Sequence, residues 1–159
     1  MSISHHLSRY LEQHGACYEV CMHEHSRTSA ETARTAHVLP GRLAKSVILE
    51  DAEGCLMAVL PADRKVMLGQ LSRMLGRTEL RLSDEHFIAM LFDDCDRGAV
   101  PPVGMAWGIE TIVDDELEAG DVVYLEGGDH ESLLRMSGKQ FHELMSAARH
   151  GHFCRVPTH

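Results

Sequence analysis

The chain has 159 residues, 44% of them hydrophobic and 25% charged. That suits one water-soluble domain spanning 1–159, able to bury its own core without a disulfide framework or a structural metal. Aromatics make up only 5%, with a single Trp, so the core must be aliphatic and Met-rich, and a stacking platform for single-stranded bases is disfavoured. A formal net charge of -9 argues against a general duplex-DNA binder, because Lys and Arg neutralising phosphates dominate such affinity.

The distribution of charge says more than its sum. Arg27 to Arg81 carries nine Lys/Arg against six Asp/Glu, net +3, whereas Asp84 to Glu131 carries fourteen acids against Arg97 alone, net -13. A polyanion would have to approach the first of these regions. The five cysteines, Cys17, Cys21, Cys55, Cys95 and Cys154, are an odd number without a CxxC pair and read as reduced packing residues. No apolar stretch approaches the length of a membrane span, and MSISHHLSRYLEQ carries a polar helical pattern in place of a signal peptide's apolar segment. A cytoplasmic protein with no membrane partner is expected.

In chain order, Ser2 or Ser4 caps a first helix whose Ile3, Leu7, Tyr10 and Leu11 share one face, ending near Gly15. Ala16 to Met22 alternates as a strand. Thr28-Ser29-Ala30-Glu31 has the form of a capping box opening a helix to about Val38, stopped by Pro40-Gly41. Leu43 to Glu50 and Cys55 to Leu60, joined across Asp51 to Gly54, form the clearest hairpin. Lys65 to Leu75 reads as a helix closed by Gly76, Glu79 to Leu82 as a short strand, and Ser83-Asp84-Glu85-His86 as the start of a helix through Phe92. Asp93 to Gly104 is too rich in Gly, Pro and Asp for regular structure. Ile109 to Val113, Val122 to Leu125 and Leu133 to Met136 are further strands, and Gly138 to Arg149, capped by Ser137, a last helix. Strands outnumber helices able to serve as crossovers, which predicts an α+β fold with a mixed, mainly antiparallel sheet and packed helices.

Three places could carry chemistry. Lys45 interrupts an apolar strand, although a lone strand lysine is ordinarily a snorkelling edge residue. Gly98-Ala99-Val100-Pro101-Pro102 combines conformational freedom with locked φ angles, and so holds backbone amides and carbonyls toward a cleft or makes a tight connection. Gly127-Gly128-Asp129-His130 places a histidine after a turn, where it can bond a ribose hydroxyl or a carbonyl, though with twelve histidines most are incidental. His23-Glu24-His25 and His150-Gly151-His152, with Cys154 two residues on, lack HExxH spacing, so no metal and no cofactor are expected. There is no GxSxG, P-loop or GxGxxG, and no cysteine has a local motif that would activate it as a nucleophile.

Taken in succession, a strand leading to a His and then TSAETA, LAKSVIL, CLMAVLPADRKV, the Gly-x-x-x-Pro element Gly98 to Pro102, IETIVDDEL and His130 after a glycine turn resemble the YbaK family. That family holds free-standing aminoacyl-tRNA deacylases and the insertion domain of bacterial prolyl-tRNA synthetases. The resemblance implies hydrolysis of the ester joining a small, wrongly attached amino acid to the 3' end of a tRNA, tRNA-Pro first among them, with a synthetase as a further partner. Lys45 matches the family's functional lysine. Gly98 and Pro102 match the element that shapes the aminoacyl pocket, and His130 matches the histidine near the terminal adenosine in alanine-editing relatives. Val20, Thr28 and Ser46 fall where the side-chain pocket is lined. Ser46 stands where alanine-editing relatives commonly have Asn, and Asp129 where many have a small or hydroxylated residue, which leaves Ala, Ser, Thr, Cys and 2-aminobutyrate unranked. Two other readings compete: a non-catalytic module of the same fold that binds an amino acid, an aminoacyl nucleotide or a synthetase, and a metal-dependent hydrolase built on the histidine pairs.

Overall fold

The computed structural model describes residues 3–157. Ser4 accepts the Leu7 N–H at 3.4 Å and opens α1 (His5–Gln13), which turns Leu7 and Leu11 into the core; Ser2, the other expected cap, lies outside the described residues. β1 (Glu19–Met22) follows, shorter than expected. Thr28 accepts the Glu31 N–H at 3.1 Å at the start of α2 (Ser29–Thr35), which ends three residues before Val38. The predicted hairpin forms as β2 (Leu43–Asp51) and β3 (Gly54–Pro61), paired from Ala44↔Pro61 to Asp51↔Gly54. Its turn is fastened by Arg77, whose Nε donates to Asp51 at 2.8 Å and whose Nη2 donates to the Gly54 carbonyl at 2.8 Å.

Lys65 does not begin a helix. Lys65 and Val66 form β4 (Lys65–Val66), paired with Cys154 and Arg155, and the helix starts only at α3 (Leu68–Leu75), closed by Gly76 at φ +64°. The helical apolar spacing there is real, but Met67 gives its N–H to the Phe153 carbonyl at 2.7 Å, which holds the preceding residues extended. β5 (Arg81–Leu82), α4 (Glu85–Leu91, capped by Asp84), β6 (Glu110–Asp114), α5 (Asp115–Glu118), β7 (Val122–Glu126) and β8 (Ser132–Ser137) come next. Ser137 caps α6 (Gly138–Leu144), which ends five residues before Arg149. Arg149 instead opens β9 (Arg149–Gly151), drawn into a parallel pairing with β6, before β10 (Cys154–Arg155).

Eight strands make one sheet in the order β1-β8-β7-β2-β3-β6-β9, with β5 also paired to β2. β1·β8, β7·β8, β2·β3 and β2·β5 are antiparallel and β2·β7, β3·β6 and β6·β9 parallel. This is the mixed, mostly antiparallel α+β architecture expected. Ala44, Ile48, Met57, Val59, Val123 and Leu125 face one core with Leu7 and Leu11 of α1 and Phe141 and Leu144 of α6. Leu49, Leu56, Ala58 and Leu60 face the other, against Leu71 of α3 and Phe153. Both faces of β2 and β3 are thus covered, which explains their near-continuous apolar runs. Each large aliphatic side chain so buried contributes about 1.5–3 kcal/mol. Four cysteines pack against these cores, whereas Cys17 is exposed, contrary to the packing role expected of it. No helix among the described residues is long and apolar enough to cross a membrane.

Candidate active site

The site arises from incomplete strand pairing. On one edge β2 is paired by β3 along almost its whole length, but on the other β7 reaches only Leu43 and Ala44, and β5 only Leu49 and Glu50. Between them Lys45, Ser46 and Val47 have no strand neighbour on that side, while the Ile48 carbonyl accepts the Ser83 N–H at 3.0 Å. An inner cavity of about 200 Å³ opens at this gap, lined by Lys45 to Ile48 with Leu82, Ile88, Gly98, Val100 and Glu126 among others. It continues into a wider vestibule of about 600 Å³ that shares Ser29, Lys45, Ser46, Glu85 and Gly98 and adds Arg27, Thr28 and Arg97.

Lys45 is half-buried. Burial lowers its pKa from the ordinary lysine value, with Asp63 acting in the opposite direction. Ser46 turns to the other face, and its Oγ donates to the Val100 carbonyl at 3.0 Å, tying the Gly98 loop to the sheet. The loop is fixed from within as well: Ala99 N–H donates to Asp96 at 3.1 Å, Val103 N–H to Pro101 at 2.8 Å, and Asp96 N–H to the Gly128 carbonyl at 2.7 Å. Gly98 has φ +78°, and a Cβ there would meet the Arg27 carbonyl oxygen at 2.6 Å and the His130 ring at 3.4 Å. Glycine is therefore required twice, for backbone conformation and for close approach.

His130 is 2% exposed and stands behind this loop. Its Nε2 bonds the Arg97 carbonyl, its Nδ1 has no partner, its ring lies edge-on to His25, and its backbone takes the left-handed φ of +60°. Asp129 holds the turn by accepting the Ser132 N–H at 2.7 Å and the Glu131 N–H at 2.9 Å. Lys45, Ser46, Gly98 and Thr28 thus share one groove, with His130 backing it through Gly98. Val20 is 48% exposed on β1 and Pro102 is buried; neither lines either part of the groove.

Two residues that sequence reasoning missed stand here. Arg97, the lone base of the acidic stretch, joins Arg27 at the vestibule, and neither has a carboxylate partner within 4.0 Å among the described residues. Glu126, the last residue of β7, is 1% exposed and lines the inner cavity with no hydrogen-bond partner for either carboxylate oxygen. Burial pushes its carboxyl up to about 7; the Thr32 hydroxyl opposes this in part and the Asp129 charge adds to it. The sequence signal for Glu126 is slight: an acid closing an apolar strand before Gly127-Gly128 also describes any solvated strand end.

Metal-competent donor sets lie elsewhere. Asp114 with His152 and Cys154, and Glu118 with His142 and His150, bring their ligating atoms within 4.8 Å of one another, and neither set shares a residue with the groove. Asp114 already accepts the Phe153 N–H at 2.8 Å and the Cys154 N–H at 3.0 Å, and burial pushes the Cys154 thiol upward, away from the thiolate a metal needs.

The sequence profile of the aminoacyl-tRNA editing domain matches residues 23–144, from just after β1 to the end of α6. The chain belongs to this family. No curated protein sequence matches it. Solved structures share the fold at low identity. A hypothetical protein superposes with a TM-score of 0.83 at 24% identity over 94% of this chain and 99% of its own. A candidate trans-editing enzyme for prolyl-tRNA synthetase gives 0.81 at 23% identity over 96% of each chain. A candidate signal transduction protein from Marinobacter aquaeolei gives 0.75 at 22% identity over 94% of this chain but 30% of its own.

Proposed function

We propose that the protein is a trans-editing aminoacyl-tRNA deacylase that hydrolyses the ester of a small mischarged amino acid, with tRNA-Pro the leading acceptor. The observation that carries the reading is the shared groove: a cavity of about 200 Å³ flanked by the Lys45 ammonium and the Gly98 backbone, beneath a vestibule with Arg27 and Arg97. The vestibule suits the phosphates of an acceptor end, and the inner cavity suits a small aminoacyl group.

An aminoacyl ester is already activated, so its hydrolysis needs orientation and a stabilised oxyanion more than a strong nucleophile. Water adds to the ester carbonyl, and the tetrahedral intermediate expels the ribose oxygen, which takes a proton that the water gave up. The products are the free amino acid and the uncharged tRNA. Lys45 supplies positive charge to a carbonyl or phosphate oxygen, the Gly98 loop orients the ester, and Thr28 and Ser46 bound the groove. His130 acts as a positioning residue through the Arg97 carbonyl. Pocket sterics discriminate by only about 1–3 kcal/mol per methylene, so several small amino acids should be accepted.

Deacylation of Ala-, Ser- and Cys-tRNA-Pro by wild type and Lys45→Ala tests this. The substitution should cost about 100- to 1,000-fold in kcat/KM, as for loss of an oxyanion donor. Undiminished turnover removes the role of Lys45. A wild type that leaves every mischarged tRNA intact while binding an amino acid or a synthetase gives the fold a binding role instead.

A further inference from the structure

The reaction just described makes no use of Glu126. Alternation along β7 sends Val123 and Leu125 into the main core and Tyr124 and Glu126 to the opposite face, and the chain turns at once through Gly127 and Gly128. The carboxylate cannot reach solvent by following the strand. Its Cα neighbour on β8 is Leu133. The Thr32 hydroxyl of α2 lies close enough to draw the carboxyl pKa down in part, but it is engaged with Ser26 at 2.5 Å and leaves both carboxylate oxygens without a well-formed hydrogen bond. The charged groups around it are Asp129 beyond the turn and, along the same cavity wall, Lys45 of β2 and Glu85 of α4. Lys45 comes next in the β2·β7 register after Ala44↔Leu125, yet it makes no ion pair with Glu126. A buried acid without a partner is costly for a fold to keep. Here it borders the small cavity that would hold the aminoacyl group.

Building on the deacylase reading, we propose that Glu126 is the subsite for the free α-ammonium group of the aminoacyl ester, so that the cavity takes esters with an unsubstituted amine and rejects N-acylated ones. The chemistry is complementary on three counts. A primary ammonium is a compact cation with three donors, and the carboxylate has two oxygens free to accept. An opposite charge in contact reverses the effect of desolvation and draws the carboxyl into its ionised form. An N-acylated amine brings no charge and leaves the acid as unpaired as before, and sites built around such a bond reject analogues lacking it far more strongly than hydrophobic pockets reject a methylene.

The test compares Ala-tRNA-Pro with N-acetyl-Ala-tRNA-Pro on wild type, Glu126→Gln and Glu126→Asp. Wild type should hydrolyse the acetylated ester at least 100-fold less efficiently in kcat/KM. Glu126→Gln, close to isosteric and uncharged, should narrow that ratio to under tenfold by losing rate on the free amine, and Glu126→Asp should keep part of it. A merely structural role would slow both substrates alike. Equal wild-type rates on the two esters, or a ratio unchanged in Glu126→Gln, overturn the proposal. If wild type hydrolyses neither ester, the deacylase reading fails, and binding of alanyl amide of 3'-amino-3'-deoxyadenosine and its N-acetyl form decides the subsite. Selective binding of the free amine that Glu126→Gln abolishes supports it; equal binding, or none, overturns it.

Discussion

Replacing Gly98 with alanine separates the two demands placed on this residue, because Gly76 offers a control that carries only one of them. Both glycines are left-handed, at φ +78° and +64°, where a side chain costs about 1–2 kcal/mol. Around Gly76 nothing lies within 4 Å of a new Cβ, whereas at Gly98 the Arg27 carbonyl oxygen would stand at 2.6 Å. Ordinary contact begins at 3.4 Å, so the loop and the Arg27 segment must part by the difference, about 0.8 Å. Misplacement of roughly 1 Å at a reacting centre costs about 100-fold in rate. Gly76→Ala should therefore lose about 1–2 kcal/mol of stability and keep its deacylation rate. Gly98→Ala should lose at least as much stability and, in addition, about 100-fold in kcat/KM on a mischarged tRNA. Urea denaturation and single-turnover deacylation on the same preparations provide both numbers. If Gly98→Ala retains more than about a third of wild-type kcat/KM, or the Gly76 control loses as much, the close approach does not organise the site.

Two further outcomes concern titration. Burial keeps the Glu126 carboxyl protonated in the fold up to about 7, whereas in the unfolded chain it ionises near its ordinary 4.5. The unfolded state is thus increasingly favoured between those values, and the stability of Glu126→Gln relative to wild type should rise by about 3 kcal/mol across that window and level off above it. Urea midpoints at about pH 4 and 8 would show it, and a constant difference would refute the burial argument. Asp51 behaves oppositely: the Arg77 hydrogen bond holds its carboxyl down to about 2 from 3.8. That stabilisation is full above the unfolded value and is lost as pH falls through about 2, so the advantage of wild type over Asp51→Asn should shrink on acidification from pH 5 to 2. A difference that persists at low pH would mean that the pair does not fasten the β2–β3 turn.

What was legible in the sequence was what depends on local pattern. The hairpin announced itself through two apolar runs flanking Asp51 to Gly54, α2 through its capping box, and Lys45 through its intrusion into LAKSVIL. The two segments misread as helix involve partners distant in sequence. Lys65 and Val66 are extended because Cys154 and Arg155, some ninety positions later, pair with them, and Arg149 leaves the helical pattern of α6 because β6 offers a parallel edge. Glu126 is the sharper case. Nothing in VVYLEGGD distinguishes a solvated acid from one buried at a cavity wall, since burial there is decided by β8, paired alongside, and by Thr32 of α2. Val20 was placed by resemblance alone, and its 48% exposure on β1 follows from an edge strand with one face to solvent.

The same dependence on pairing explains how the fold makes a site without assembling a triad. A strand in the middle of a sheet ordinarily spends its main-chain donors and acceptors on both neighbours. β2 does so on the β3 side, but on the other side β7 stops pairing after Ala44 and β5 begins only at Leu49. The intervening residues are rigidly held by β3 and yet present an open edge, the combination that positioned backbone groups need if they are to act on a substrate without reorganising. Lys45 and Ser46 lie in that interval and project to opposite faces, so one can serve the groove while the other ties down the Gly98 loop. Extending β7 by three paired residues would close the gap with no change to Lys45, Ser46 or Gly98. On the deacylase reading, the chemistry depends on where one strand stops as much as on which side chains the other carries.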